Sequence, residues 1–244
     1  MLLPKRFELQ LLVEHTSEPA GIPLASDDQD KKKLKNMNKT LDRPTGRYFV
    51  GGMNEKKKEA TKRVAILEAA SRLFYEKGYN QTGIQEILKE SGAARGTFYS
   101  FYKSKEELGV AWLKARHTTW NGWLHEAIAS ARSPRGKILA AFDFLGEWMS
   151  GCDYRGCAFL NTLSETPAPE SPLRQQIVAH KEELYELFQT LVDEHHSALS
   201  AARRKQIGTS IFLLFEGSII HLQNFRQSWP LDGARRQVEE LLKN

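Results

Sequence analysis

Proline is absent between Pro44 and Pro134, and from Asn54 onward no run alternates apolar and polar residues with a period of two. A half-buried strand needs that alternation, and a helix interior excludes proline. The chain is therefore expected to be all-α. Apolar residues recur at helical spacing instead. Ile66, Ala70 and Leu73, with Leu67 and Phe74, form one stripe of a first helix over 56–77. Gly78 falls where a left-handed C-terminal cap is wanted. Thr82-Gly-Ile-Gln85 has capping-box spacing and opens a second helix, whose buried stripe is Ile84, Ile87 and Leu88. Ser91-Gly92-Ala93 reads as a short turn into a third helix over 94–102. Ser104-Lys-Glu-Glu107 is a second capping box, opening a fourth helix over 105–131. Further helices are expected over 134–150, 157–164, 173–197, 201–227 and 231–242, with Trp229-Pro230 as the break before the last.

The first 53 residues read differently. They hold Pro4, Pro19, Pro23 and Pro44, an acidic run at Asp27-Asp28-Gln-Asp30 and a basic run at Lys31-Lys32-Lys33, without helical period. Such a stretch buries too little apolar surface to offset its ordering entropy, so residues 1–53 are expected to be a disordered tail. Translation is expected to begin at Met53 or Met37 rather than at Met1. No stretch approaches the roughly 20 apolar residues of a membrane span. Charge and Pro4 interrupt the short apolar start that a secretory signal needs. No membrane partner and a cytoplasmic location are the expectation. Two cysteines, Cys152 and Cys157, are too few for a disulfide framework in a chain of this length.

Charge is unevenly spread. Residues 53–105 carry eleven Lys and Arg against six Asp and Glu, whereas residues 106–244 carry fifteen against seventeen. The basic excess coincides with the three short helices, as a segment that meets a polyanion requires. Two short helices joined by a glycine-containing turn, after a longer apolar helix, describe a helix-turn-helix unit over 54–104. Leu67, Ala70, Phe74, Ile84, Ile87, Leu88, Ala93, Phe98 and Tyr102 would make one small core that holds the third helix outward. A major groove about 12 Å wide accepts one such helix.

The run Arg63-Val-Ala-Ile-Leu-Glu-Ala-Ala-Ser-Arg-Leu-Phe74, then Gly78-Tyr79, Thr82, Ile87, Ser91-Gly92 and Gly96-Thr97-Phe98-Tyr99-Ser-Phe-Tyr102-Lys-Ser104-Lys105-Glu-Glu-Leu108, resembles the TetR family of bacterial repressors. The resemblance covers about fifty residues. It implies a homodimer on a nearly palindromic stretch of double-stranded DNA, its two reading helices roughly 34–36 Å apart. Laid onto matching positions, it makes Thr82 a phosphate contact at the second helix. Arg95, Gly96 and Thr97 become the exposed face of the reading helix, and Tyr99 a phosphate ligand. Lys103 and Lys105 flank the next helix entry, Lys105 being the favoured phosphate partner. Ala94 departs from the family, which often has a capping hydroxyl there, as do Ala93 and Phe101, where the family often has valine and histidine.

Residues 105–244 read as a helical ligand-binding and dimerisation domain rich in aromatics. The resemblance implies a small-molecule effector pocket here, for which Trp112, Trp120, Phe142, Trp148 and Asn161 are the candidates. Gly156-Cys157 before a short helix, followed by Asn161 and Glu165, looks like a branch of the family in which some members sense electrophiles or oxidants through cysteine. A thiol at a helix N-terminus beside Arg155 favours that chemistry; a small buried residue without redox role fits the same pattern. Cys152 stands five residues earlier as a resolving thiol. A broad face of Ile207, Ile211, Leu214, Phe215, Ser218, Ile219 and Leu222 is expected at the dimer interface, together with the last helix. His195-His196 and the pair His117 and His125 lack companions at metal-ligand spacing, so no metal site is assigned. No GxGxxG or GxxxxGK occurs and no Cys-His-acid arrangement accompanies Cys157, so no cofactor, no catalytic residue and no enzyme activity are expected. Two rival readings, an enzyme with Cys157 as nucleophile and a helical adaptor that binds protein, lack motifs of their own.

Overall fold

A computed structural model describes residues 51–166 and 168–243, with side chains described from Ala60 onward. The tail reading for residues 1–50, and the start at Met37, lie outside the described residues. Among the described residues there are nine helices: α1 (Gly51–Lys77), α2 (Ile84–Ser91), α3 (Arg95–Phe101), α4 (Lys105–Ala129), α5 (Pro134–Gly151), α6 (Ala158–Glu165), α7 (Pro172–His195), α8 (Ala201–Phe225) and α9 (Trp229–Leu241). None is long and apolar enough to cross a membrane.

Local chemistry sets most of these boundaries. Ser104, Ser133, Ser171 and Ser200 each sit at a helix N-cap and accept a hydrogen bond from the first turn. Pro134 and Pro172 follow two of them, where a missing N–H costs nothing. Gly78 (φ +103°) and Gly92 (φ +64°) close α1 and α2 in the left-handed region, which a residue with a Cβ resists. Two expectations are corrected. The capping box at Thr82 and Gln85 is not formed: Gly83 is the N-cap of α2 and carries no side chain to bond. Trp229-Pro230 does not break the chain but begins α9, since proline suits a first helical turn; the break is at Arg226, which takes a left-handed φ of +52°.

The three N-terminal helices pack around Ile66, Ala70, Leu73, Phe74, Ile87, Leu88, Phe98 and Tyr102, all buried, with Leu67, Ile84 and Ala93 half-buried at the edge. The larger domain is built around rings: Phe142 meets Phe215 at 5.3 Å and Phe188 at 6.3 Å, and Trp120 meets Trp148 at 5.7 Å. Burying a side chain of this size contributes about 2–3 kcal/mol. Helix α4 belongs to both cores, because Trp112 packs on Phe74 at 5.2 Å while Trp120 lies in the bundle.

The face expected to pair two subunits is used inside one. Ile207, Ile211, Phe215, Ser218, Ile219 and Leu222 are buried where α8 packs on α7, α5 and α9, and Leu214 is half-buried. Single-sequence periodicity finds an apolar face but cannot say whose core it enters. The opposite side of α8 carries Leu213 (60% exposed), Gly217 and Ile220, one above the other, leading to exposed Phe225 and Trp229 (54%) at the turn into α9.

Candidate nucleic-acid interface and its control region

The outward face of α3 follows from the inward one. Phe98 and Tyr102 are sunk in the three-helix core, which turns Arg95, Gly96, Tyr99 and Ser100 to solvent and leaves Thr97 half-buried. Tyr99 is 43% exposed, with its ring edge-on to Phe98 at 5.2 Å and the Arg95 guanidinium 5.7 Å over it. A Cβ at Gly96 would meet nothing within 4 Å, so the fold itself does not require glycine there. Ala94 is the N-cap of α3 and makes no side-chain bond, so the first N–H groups of α3 have no capping acceptor.

Around α3 the charges divide. Arg72 pairs with Glu90, and Lys77 with Glu86, which ties α1 to α2 and spends two cations. Lys103 is exposed, its backbone N–H donating to Glu107 at 2.7 Å while Ser104 accepts from the Glu107 N–H at 3.1 Å. Two sequence assignments change here. Thr82 is fully buried, its hydroxyl donating to the carbonyls of Gly78 (2.8 Å) and Leu73 (3.2 Å); it seals the end of α1 and has nothing left for a phosphate. Lys105 folds back, its Nζ 4.4 Å from the Tyr79 ring centre and 3.4 Å from the Asn80 carbonyl. Burial lowers its pKa and Glu165 works against that. At this corner Lys103 is exposed, whereas Lys105 is half-buried.

The control region is also rearranged relative to expectation. Trp112, Trp120, Phe142 and Trp148 are interlocked core rings and line neither of the two cavities described here. The indole N–H groups of Trp112 and Trp120 are buried without a partner. Asn161 is a brace: its amide donates to the Arg155 carbonyl at 3.1 Å and accepts from Gln223 at 3.3 Å. Arg155 is turned away from the thiol, donating through Nε to the Tyr75 carbonyl at 2.8 Å. The cation beside Cys157 is Lys181, 3.7 Å from Sγ and 2.7 Å from the Glu216 carboxylate. Burial acts to discharge Lys181, but Cys157 and Glu216 outweigh it and hold the ammonium pKa above its usual value. Cys157 itself is 4% exposed. Lys181 also lines a groove of about 340 Å³ between α6, α7 and α8, with Leu163, Ile177, Tyr185, Phe212 and Arg174. Sequence reasoning missed Lys181 and Glu216. The available signal was a charge at Lys181 among the buried positions Ile177, His180 and Leu184 of α7.

A second cavity of about 280 Å³ opens between α4 and α7, at Asn121, His125, Glu183 and Thr190. Beside it the His117 and His180 Nδ1 atoms are 3.0 Å apart, His117 Nε2 is 3.1 Å from Glu183, and His180 stacks on Phe159 at 3.8 Å. His195 and His196 each place Nε2 against a carbonyl, that of Leu242 at 3.1 Å and that of Leu241 at 3.2 Å.

A short polar helix held outward on a three-helix core, beside a separate aromatic bundle, defines a helix-turn-helix DNA-binding regulator. Residues 66–111 match the family described as bacterial regulatory proteins, tetR family. The HTH-type transcriptional regulator LmrA of Bacillus subtilis (strain 168) is 28% identical over 185 residues, covering 74% of this chain and 96% of LmrA. The HTH-type transcriptional repressor NemR of Escherichia coli (strain K12) is 22% identical over 182 residues, 72% of this chain and 92% of NemR. Among solved structures, SCO4454, a TetR-family regulator from Streptomyces coelicolor, matches with a TM-score of 0.69 at 23% identity, over 75% of this chain and 95% of that one. Reduced E. coli NemR matches with a TM-score of 0.65 at 21% identity, over 74% and 96%. These two likenesses establish the fold. Residues 66–111 carry the tetR-family match, and over most of its length the chain is similar to proteins named as transcriptional regulators.

Proposed function

We propose that the protein is a repressor that binds a palindromic operator as a homodimer and leaves it when a small molecule or a thiol reaction alters the bundle. The observation that carries this is the exposed face of α3, where Arg95, Gly96 and Tyr99 face solvent with half-buried Thr97 beside them. Arg95 is suited to bidentate guanine contact, Tyr99 and Lys103 to flanking phosphates. The outer side of α8, with Leu213, Gly217 and Ile220, supports a symmetric pairing in which two copies bury each other's apolar stripe. The α6–α7–α8 groove supports an effector that is largely apolar and reaches Lys181, whose other neighbour is Cys157. The effector releases DNA only if it binds the non-binding arrangement more tightly than the binding one.

The test is a mobility-shift assay with palindromic fragments from upstream of its own gene and the neighbouring genes. A specific complex that weakens steeply with salt is expected. Failure to form one with any such fragment overturns the repressor reading.

A further inference from the structure

Residues 78–82 are the loop by which α1 turns into α2, and the bundle grips it from outside the head. The grip is Glu165, the last residue of α6. Its carboxylate accepts the backbone N–H of Asn80 at 2.5 Å, and its main-chain carbonyl accepts from the Asn80 side-chain amide at 2.9 Å. That carbonyl is one of the four that a helix end leaves without an internal partner. The two bonds run in opposite senses between residues 85 apart in the chain, so neither residue can slide or turn without breaking one of them. Gly78 makes room: a Cβ there would lie 2.8 Å from Glu165 Oε1, and its φ of +103° resists a side chain as well. Lys105, the first residue of α4, also touches the loop, with Nζ 3.4 Å from the Asn80 carbonyl and 4.4 Å from the Tyr79 ring centre. Inside the head the loop is stiff, because the buried Thr82 hydroxyl donates to the Gly78 carbonyl at 2.8 Å. A hold on Asn80 is therefore a hold on the whole head. A second polar hold lies one turn back on α1, where Arg155 Nε donates to the Tyr75 carbonyl at 2.8 Å and the Tyr75 hydroxyl donates to the Gly156 carbonyl at 3.0 Å. Two separated polar holds fix an orientation that the single crossing of α4 would leave free to rotate.

We propose that Glu165 is a positioning residue for DNA binding: by bracketing Asn80 it sets the tilt of the three-helix head on the bundle, and so the half-site spacing that a dimer accepts. The inference rests on the DNA-binding and dimer readings above. Glu165 acts through the loop and not on the duplex. In a two-fold pair the reading helices must reach successive major grooves, one duplex turn of roughly 34 Å apart. One base pair added or removed at the centre changes that separation by about 3.4 Å and turns one half-site by about 36° around the duplex axis. A head fixed to the bundle meets one spacing well. A head freed at Asn80 keeps its own core, since Ile66, Ile87 and Phe98 are buried within it. It then reaches several spacings, each less well, because the ordering that the bracket supplied in advance has to be met on binding.

The experiment uses the full chain and the palindromic fragment that it shifts, with copies of that fragment carrying one base pair more or one fewer at the centre. Wild-type affinity for the natural spacing is expected to exceed that for either altered spacing by about tenfold or more. In Glu165→Ala the ratio should fall to about threefold or less, through loss on the natural spacing with little change on the altered ones. Glu165→Gln keeps an acceptor for the Asn80 N–H and should restore most of the ratio. Asn80→Ala, which keeps that N–H but loses the side-chain amide, should fall between the two. Hydrogen exchange on the DNA-free protein is the second readout. The Asn80 amide should exchange about tenfold or more faster in Glu165→Ala, with the Ile87 and Phe98 amides unchanged. The inference is overturned by a wild type that binds all three spacings alike, by a ratio that Glu165→Ala leaves intact, or by an Asn80 amide that exchanges no faster. A loss of equal size at every spacing, or faster exchange throughout the head, overturns it too, because either marks Glu165 as a support of the fold alone. Failure of the DNA-binding reading looks different: the wild-type protein then shifts no fragment at any spacing.

Discussion

The side chains of α3 include an inward and an outward set, and the two are separable by mutation. Phe98 and Tyr102 hold α3 in place; Arg95 and Tyr99 face outward. Arg95→Ala and Tyr99→Phe are each expected to weaken operator binding by about 1–3 kcal/mol per lost contact, with little change in thermal midpoint. Fluorescence anisotropy and differential scanning calorimetry check the two halves. A midpoint that falls with the affinity would mean these residues are packing groups. His180 makes a different prediction. Its pKa is pushed down to about 2 from 6.5 by burial first, then by the Lys181 ammonium and His117. Below pH 6.5 the unfolded chain takes up a proton that the folded chain refuses. Stability is therefore lost as pH falls through that window, by up to about 1.4 kcal/mol per unit. Thermal midpoints from pH 7 to pH 5 should decline less in His180→Gln, which keeps an acceptor for His117 and does not titrate.

At the scale of elements, the head and the bundle meet where α1, α4, α6 and α7 converge. Glu165, the last residue of α6, accepts from the Asn80 N–H at 2.5 Å, and Asn80 returns a bond to the Glu165 carbonyl at 2.9 Å. Gly109 of α4 fits there because a Cβ would lie 2.8 Å from the Tyr79 ring and 2.9 Å from a Leu173 methyl. Gly109→Ala should destabilise the protein by about 1–3 kcal/mol through overpacking, read as a lower thermal midpoint; an unchanged midpoint would mean the joint can slide. Much of this architecture was legible in the chain. Glycines at 78 and 92, and Ser104, Ser133 and Pro134, announce helix ends through their own backbone chemistry, which needs no partner. What stayed hidden depends on partners distant in sequence. Thr82 carries the right atom for a cap but spends it on α1, Trp112 and Trp148 have the right size for a pocket but fill a core, and Lys181 meets Cys157 only after folding.

For the molecule as a whole, the outer side of α8 carries the next prediction. Leu213→Glu or Ile220→Glu places charge on the exposed stripe without touching the subunit core. Sedimentation should then give a monomer at micromolar concentration, with helical content intact and operator binding much reduced, since one copy holds only one half-site. A dimer that survives both changes would place the pairing surface elsewhere. Helix α4 has a mechanical consequence. It is a single rod of 25 residues, about 37 Å long at 1.5 Å per residue, clamped by Trp112 near one end and by Trp120 and Leu124 further along. Such a lever arm rotates more readily than it flexes. A swing of about 5° carries its tip about 3 Å, or about 6 Å across a symmetric pair, against a duplex repeat of roughly 34 Å. On the proposed dimer, an event no larger than a side chain shifting in the bundle would be geared up, at the far end, into a mismatch with the helical pitch of DNA.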